Sequence, residues 1–191
     1  MNWETYISIG DSITGGARTY LSYPEKIASG LKQNLNKSWN LINISENGHN
    51  VIDVLRLIDK NYNSISSQLS GITTILVGTN DAKNNTSVTD FRIAYDLLVL
   101  KAKLFTQKEN VILIEIPNFP KGIMYPYNYQ MNDRIDIFNT VIKDIAKDQN
   151  LRTFKFALKE GDLFDGVHLS EQGVDNCSSQ LLGFILGDKG I

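Results

Sequence analysis

Short apolar runs alternate with amphipathic segments along most of the chain. The apolar runs predict buried strands at residues 5–9, 39–44, 73–77, 111–116 and 151–156. Between them, apolar residues recur at helical spacing and predict helices at residues 23–35, 51–62, 89–107, 132–149 and 171–186. Apolar strands that alternate with helices are typical of a parallel sheet covered on both faces. The pattern therefore predicts a three-layer α/β/α sandwich with a doubly wound parallel sheet of about five strands.

Local signals mark several ends of these elements. Ser22 is placed to cap the first long helix, and Pro24 falls in its first turn. Pro117 stops the fourth strand. Because the sequence has no repeat, low-complexity tract or linker, we expect one domain over residues 1–191.

Composition excludes several classes of function. The chain has 191 residues, 42% of them hydrophobic and 21% charged, with a net charge of −2. Its lysines and arginines are scattered along the sequence, so we expect no nucleic-acid binding. The one cysteine, Cys177, permits no disulfide within the chain and is expected to be a buried structural thiol.

The sequence has neither a signal-peptide pattern nor an apolar stretch long enough to cross a bilayer. We therefore expect a cytoplasmic protein without a membrane span. The sequence leaves the oligomeric state open.

Polar residues follow the first three predicted strands. Gly10-Asp11-Ser12 comes after the first strand, Asn47-Gly48 after the second, and Asn80 after the third. Ligands of open parallel sheets bind at the carboxyl ends of the strands, where these residues are expected to meet. The sequence therefore predicts a functional site at this edge of the sheet.

A serine, a histidine and an aspartate are available for nucleophilic catalysis. Ser12 is a candidate nucleophile, His168 a candidate base, and Asp165 a candidate partner that orients the imidazole. The only other histidine is His49. From Gly10-Asp11-Ser12 alone, a serine that caps a helix is an equally open interpretation. From Asp165 and His168 alone, an aspartate that caps the next helix beside an exposed histidine is the favoured one.

The backbone N–H of Ser12, Gly48 and the side-chain amide of Asn80 are candidate donors to an oxyanion. A glycine lets the backbone approach a substrate closely, and an asparagine donates a hydrogen bond without adding charge. Both residues are also typical of turns, and that interpretation is compatible with the catalytic one.

Four segments in order resemble the signature blocks of the SGNH hydrolases, also called GDSL-type esterases and lipases. They are Gly10-Asp11-Ser12, the segment 41–48, Gly78-Thr79-Asn80-Asp81 and Asp165-Gly166-Val167-His168. The resemblance implies a flavodoxin-like fold of the SGNH hydrolase type. It also implies catalytic roles for Ser12, Asp165 and His168 and an oxyanion hole of Ser12, Gly48 and Asn80. Two positions depart from the pattern. Ile13 stands where the first block has a leucine, and Ser45 stands where many members have a glycine in the second block, before the position of Gly48.

We therefore expect a serine esterase that forms an acyl-enzyme on Ser12 and needs no metal or cofactor. The expected substrate is a short acyl ester of an alcohol or carbohydrate, because the loops near Ser12 are short and polar. His49, Tyr125 and Tyr127 are further candidates for substrate contact, the tyrosines in an aromatic loop at residues 117–130.

Two alternatives remain open from the sequence. An acyltransferase, a lysophospholipase or a thioesterase would use the same catalytic set. A non-catalytic module that binds a nucleotide or a sugar would use the same fold, although the sequence contains no glycine-rich phosphate-binding motif.

Overall fold

The computed structural model describes residues 3–66 and 70–187 and is built on a parallel sheet of five strands. The strands have the order β2-β1-β3-β4-β5, which is that of a doubly wound fold. They are β1 (Trp3–Gly10), β2 (Ser38–Ser45), β3 (Ile72–Leu76), β4 (Val111–Ile114) and β5 (Arg152–Phe154). The predicted fold class is confirmed, and the last predicted strand does lie at an edge.

Helices cover both faces of the sheet. They are α1 (Ser12–Gly15), α2 (Tyr23–Leu35), α3 (Val51–Ser66), α4 (Thr79–Lys83), α5 (Val88–Ala102), α6 (Met131–Gln149) and α7 (Glu171–Gly187). Helices α3, α5 and α6 pack side by side on one face, and α2 and α7 pack together on the other. Each face has its own apolar core, so β3, β4 and residues 5–10 of β1 are buried on both sides.

Several predicted elements have the expected ends. Helix α2 begins and ends where predicted, and the Glu25 carboxylate accepts hydrogen bonds from the backbone N–H and the hydroxyl of Ser22.

Cys177 is buried, as predicted, and desolvation raises the pKa of its thiol to about 12. No helix in residues 3–66 and 70–187 is long and apolar enough to cross a membrane.

The predicted helix 89–107 is too long, because α5 ends at Ala102. The next residues turn toward the amino-terminal edge of the sheet, where Thr106 Oγ1 lies 2.6 Å from Thr73 Oγ1. The carbonyl of Phe105 accepts a hydrogen bond from the Ser70 backbone N–H. These tertiary contacts replace the last helical turns.

Strand β4 also ends earlier than predicted. The side-chain amide of Asn139 in α6 forms two hydrogen bonds with the backbone of Ile116. Asn139 Nδ2 donates to the Ile116 carbonyl, and Asn139 Oδ1 accepts from the Ile116 N–H. A helix side chain thus takes the place of a neighbouring strand. The short helices α1 and α4 were not predicted, because four or five residues are too few to show helical periodicity.

Candidate active site

Ser12 is the first residue of α1, immediately beyond the carboxyl end of β1. Asp11 caps this helix, since its Oδ1 accepts a hydrogen bond of 3.0 Å from the Ile13 backbone N–H. The side chain of Ser12 is nearly buried, and the residue is only 5% exposed. The local fold therefore holds the hydroxyl in a fixed position at the floor of a cavity.

Gly10 is required at the tight junction between β1 and α1. A Cβ atom at this position would collide with the Thr14 hydroxyl and with the carbonyl oxygen of Leu76 in β3. The absence of a side chain lets the chain turn into α1 beside its neighbouring strand.

The structure brings Ser12, His168 and Asp165 into one hydrogen-bonded row. His168 Nε2 lies 3.0 Å from Ser12 Oγ. Its other ring nitrogen, Nδ1, lies 2.7 Å from Asp165 Oδ2. With the proton on Nδ1, His168 donates to Asp165 and presents a free lone pair to the serine hydroxyl. This is the arrangement of a nucleophile, a base and an orienting carboxylate.

The turn before α7 holds this row in place. Asp165 Oδ1 accepts hydrogen bonds from the backbone N–H groups of Val167 and His168, at 3.0 and 2.8 Å. The Phe164 N–H donates to the His168 carbonyl at 2.8 Å. Partial burial opposes the ionisation of Asp165, but these bonds and the His168 ring outweigh it and lower the pKa of the carboxyl group.

The candidate oxyanion donors come from the next two strand ends. Gly48 lies in the turn after β2 with a φ of +80°, a conformation that favours glycine. Asn80 lies in α4, directly after β3, and its Nδ2 donates a 3.0 Å hydrogen bond to the His49 carbonyl. Because an amide carries two N–H groups, this bond fixes the side chain and leaves one donor for a ligand.

A cavity of about 330 Å³ joins these residues. Its lining consists of Ser12, Ala17, Arg18, Asn47, Gly48, Asn80, Lys83, Tyr127 and His168. The aromatic loop contributes Tyr127, whose ring packs 5.1 Å from that of Phe119. The cavity thus combines the candidate nucleophile, its candidate base and the candidate oxyanion donors in one space of small-molecule size.

Four lining residues were not among the catalytic or substrate-binding candidates, namely Ala17, Arg18, Asn47 and Lys83. Arg18 follows Ser12 by six residues, and Lys83 lies about one helical turn after Asn80 in α4. The spacing of Lys83 would have been informative only if α4 had been predicted, because residues three apart share a face of a helix.

Two of the residues predicted to contact substrate, Tyr125 and His49, do not line the cavity. The side chain of Tyr125 is 96% exposed and is not part of the cavity lining. The His49 ring lies 3.5 Å from the Glu46 carboxylate, again outside the lining. A substrate contact by either residue stays a prediction.

Two carboxylates beneath the site have raised pKa values. Burial raises the pKa of Asp11 to about 7, and the nearby Asp81 adds to the shift. Burial also raises the pKa of Asp81 to about 6, although its Oδ2 accepts a 3.0 Å hydrogen bond from the Val51 N–H. Asp81 thereby ties α4 to the start of α3. Within the described part of the chain, no group of three or more metal-ligating side chains could hold an ion.

The GDSL-like lipase/acylhydrolase family model matches residues 8–175, which include the whole row from Ser12 to His168. No curated protein matches the chain. The solved structures that resemble it include a lipase/acylhydrolase from Enterococcus faecalis, with 21% identity, 97% of this chain and 96% of that chain covered, and a TM-score of 0.75.

Two acetylxylan esterases are also similar in structure. Axe2 from Geobacillus stearothermophilus has 19% identity, with 94% of this chain and 92% of that chain covered and a TM-score of 0.73. The acetyl xylan esterase AlAXEase has 20% identity, 95% and 99% coverage, and a TM-score of 0.75. At these identities the likeness shows the shared fold.

Proposed function

The chain belongs to the GDSL-like lipase/acylhydrolase family, and we propose that it is a serine esterase that hydrolyses a carboxylic ester through an acyl-enzyme on Ser12. The observation that carries this proposal is the 3.0 Å contact between Ser12 Oγ and His168 Nε2, with Asp165 2.7 Å behind the imidazole. A serine hydroxyl is a weak nucleophile unless a base removes its proton, and this geometry supports His168 as that base.

In the first half of the reaction, Ser12 Oγ attacks the carbonyl carbon of the ester while its proton moves to His168 Nε2. Asp165 stabilises the imidazolium that forms, because its carboxylate accepts the Nδ1–H bond. The tetrahedral intermediate then collapses and the carbon–oxygen bond of the ester breaks. His168 gives its proton to the alcohol that leaves, and the acyl group stays on Ser12.

In the second half, water attacks the acyl-enzyme. His168 takes one proton from the water and returns it to Ser12 Oγ as the carboxylic acid is released. In both halves a negative oxygen develops on the former carbonyl. We assign its stabilisation to the backbone N–H of Ser12, to Gly48 and to the free amide N–H of Asn80.

We propose a short acyl group, acetyl above all, on an alcohol or a carbohydrate. A cavity of about 330 Å³ is small for a binding site, which supports a compact substrate. Acetylxylan esterases among the structural relatives support the same class. The cytoplasmic location stays a prediction.

The test is hydrolysis of phenyl acetate and of acetylated xylooligosaccharides by the purified protein and by Ser12→Ala. We expect acetate release by the wild type and loss of it in the variant. Transfer of the acetyl group to an added alcohol without acetate release would identify an acyltransferase instead. If neither reaction occurs with any ester, the proposed function is wrong.

A further inference from the structure

Two cations line the cavity at the candidate active site. They are Arg18 and Lys83, and among the described residues that line the cavity none is an aspartate or a glutamate. The chain as a whole has a net charge of −2, so this concentration of positive charge opposes the overall balance. A cavity lined by one sign of charge raises the local concentration of ligands of the other sign.

Arg18 has donors to spare. Its Nε forms a loose ion pair with Asp165 Oδ2 at 3.7 Å, a distance too long for a hydrogen bond. Asp165 is already satisfied by the His168 ring and by two backbone N–H groups. The Arg18 side chain is 56% exposed. A guanidinium carries five N–H groups in a planar fork that matches a carboxylate or a phosphate, so Arg18 can pair with Asp165 through Nε and still offer its terminal N–H groups to a ligand.

Lys83 forms no ion pair within residues 3–66 and 70–187, unlike Arg18. Its Nζ lies 5.7 Å from the centre of the Tyr127 ring. The side chain is half-buried. It approaches the cavity from α4, the helix of Asn80, whereas Arg18 approaches from the segment after α1.

The position of Arg18 indicates which part of an ester would meet these cations. In the proposed mechanism, His168 donates a proton to the departing alcohol, so the alcohol part lies on the side of His168. Arg18 stands beside Asp165, the residue that contacts the imidazole. A charged group on the alcohol part would therefore come within reach of Arg18.

We infer that the substrate is an ester whose alcohol part carries an anionic group, a carboxylate or a phosphate, and that Arg18 and Lys83 bind this group. The inference rests on the proposed esterase function and narrows its substrate class. A carboxylate and a phosphate both offer negatively charged oxygens that a guanidinium and an ammonium bind. The experiment below distinguishes the two anions.

The test compares three acetyl esters that share a phenolic leaving group. They are phenyl acetate, 4-acetoxybenzoate and 4-acetoxyphenyl phosphate, and each kcat/KM is divided by the rate of hydrolysis by hydroxide. The variants are Arg18→Gln, Lys83→Gln and the double variant. Lys108→Gln is the matched control, because it removes one exposed cation at the opposite edge of the sheet, just before β4.

We expect the wild type to prefer at least one anionic ester over phenyl acetate. The anionic ester that it prefers more strongly shows whether the substrate carries a carboxylate or a phosphate. The preference should fall roughly tenfold or more in the double variant and persist in Lys108→Gln. It should also weaken as NaCl rises from about 0.05 to about 0.5 M, because Arg18 is exposed to solvent.

Three results would overturn the inference while the esterase function stands. The wild type could hydrolyse phenyl acetate without any anionic preference, or the preference could survive in the double variant. Arg18→Gln could also slow all three esters equally, which would mean that Arg18 acts only through Asp165. If no ester is hydrolysed at all, the proposed function itself fails.

Discussion

Ser12 and His168 are 156 residues apart in the sequence, yet Ser12 Oγ lies 3.0 Å from His168 Nε2. The contact joins the carboxyl end of β1 to the turn that precedes α7. Asp11 fixes one side by capping α1, and Asp165 fixes the other through two backbone N–H groups and the imidazole. Because both partners are held by local hydrogen bonds, the contact is part of the fold before any substrate binds.

This relationship predicts that Ser12→Ala and His168→Ala are equally damaging and that their effects do not add. Each substitution removes one member of a single proton-transfer unit, so each should lower kcat by roughly 10⁴- to 10⁶-fold, and the double variant should lower it no further. Phenyl acetate hydrolysis measures all three rates. His49→Ala is the control, since it removes the other histidine of the chain. An inactive His49→Ala beside a nearly normal His168→Ala would mean that the base is misassigned.

Asn80→Ala should lower kcat much more than it raises KM. A donor aimed at the oxyanion acts mainly in the transition state, and loss of one such donor costs roughly 10²- to 10³-fold in kcat. Asn84→Ala, an exposed asparagine at the end of the same short helix, should leave kcat unchanged. Steady-state kinetics on phenyl acetate would contradict the assignment if Asn80→Ala raised KM alone, because Asn80 would then bind only the ground state.

Much of the fold follows from the sequence, because apolar strands and amphipathic helices bury their faces in only a few ways. The expected ends of α2 and the edge position of β5 are examples. The strand-end positions of Ser12, Gly48 and Asn80 follow too, since parallel strands bring their carboxyl ends to one edge. By contrast, Arg18 and Lys83 line one cavity because the short helices α1 and α4 place them there, and these helices leave no periodic signal. The end of α5 depends on tertiary contacts of Phe105 and Thr106, which the sequence pattern does not contain.

Asp11→Asn should be more stable than the wild type at pH 8, and this gain in the free energy of unfolding should be smaller at pH 5. Burial raises the pKa of Asp11 to about 7 from an ordinary value of 3.8, so the folded state binds a proton that the unfolded state has released. The stability that the wild type gains from this bound proton is complete below pH 4. It is lost as the pH rises toward 7, by on the order of 1 kcal/mol per pH unit. Asparagine stays neutral throughout and keeps an acceptor for the Ile13 N–H.

The measurement is the free energy of unfolding in urea at pH 5 and pH 8 for the wild type, Asp11→Asn and Asp133→Asn. Asp133 is an exposed carboxylate at the start of α6 and controls for the loss of one negative charge. An advantage of Asp11→Asn that is the same at both pH values would show that Asp11 ionises in the folded state as it does in the unfolded state.

The enzyme should prefer short acyl chains and retain activity in EDTA. A chain of eight carbons gains about 0.8 kcal/mol per buried CH₂ only where an apolar wall exists, and the lining offers chiefly Ala17 and the Tyr127 ring. A series of p-nitrophenyl esters from C2 to C12 measures the preference, with and without EDTA. Higher kcat/KM for C8 than for C2 would contradict the short-chain prediction, and inactivation by EDTA would reveal a required metal.

Covalent labelling shows whether Ser12 is a nucleophile that His168 activates. A fluorophosphonate reacts with activated serines, and the intact mass before and after treatment counts the adducts. We predict one adduct on the wild type, located on Ser12 by peptide mapping, slow labelling of His168→Ala and none of Ser12→Ala. An unlabelled wild type, or an adduct that persists in Ser12→Ala, would contradict the account.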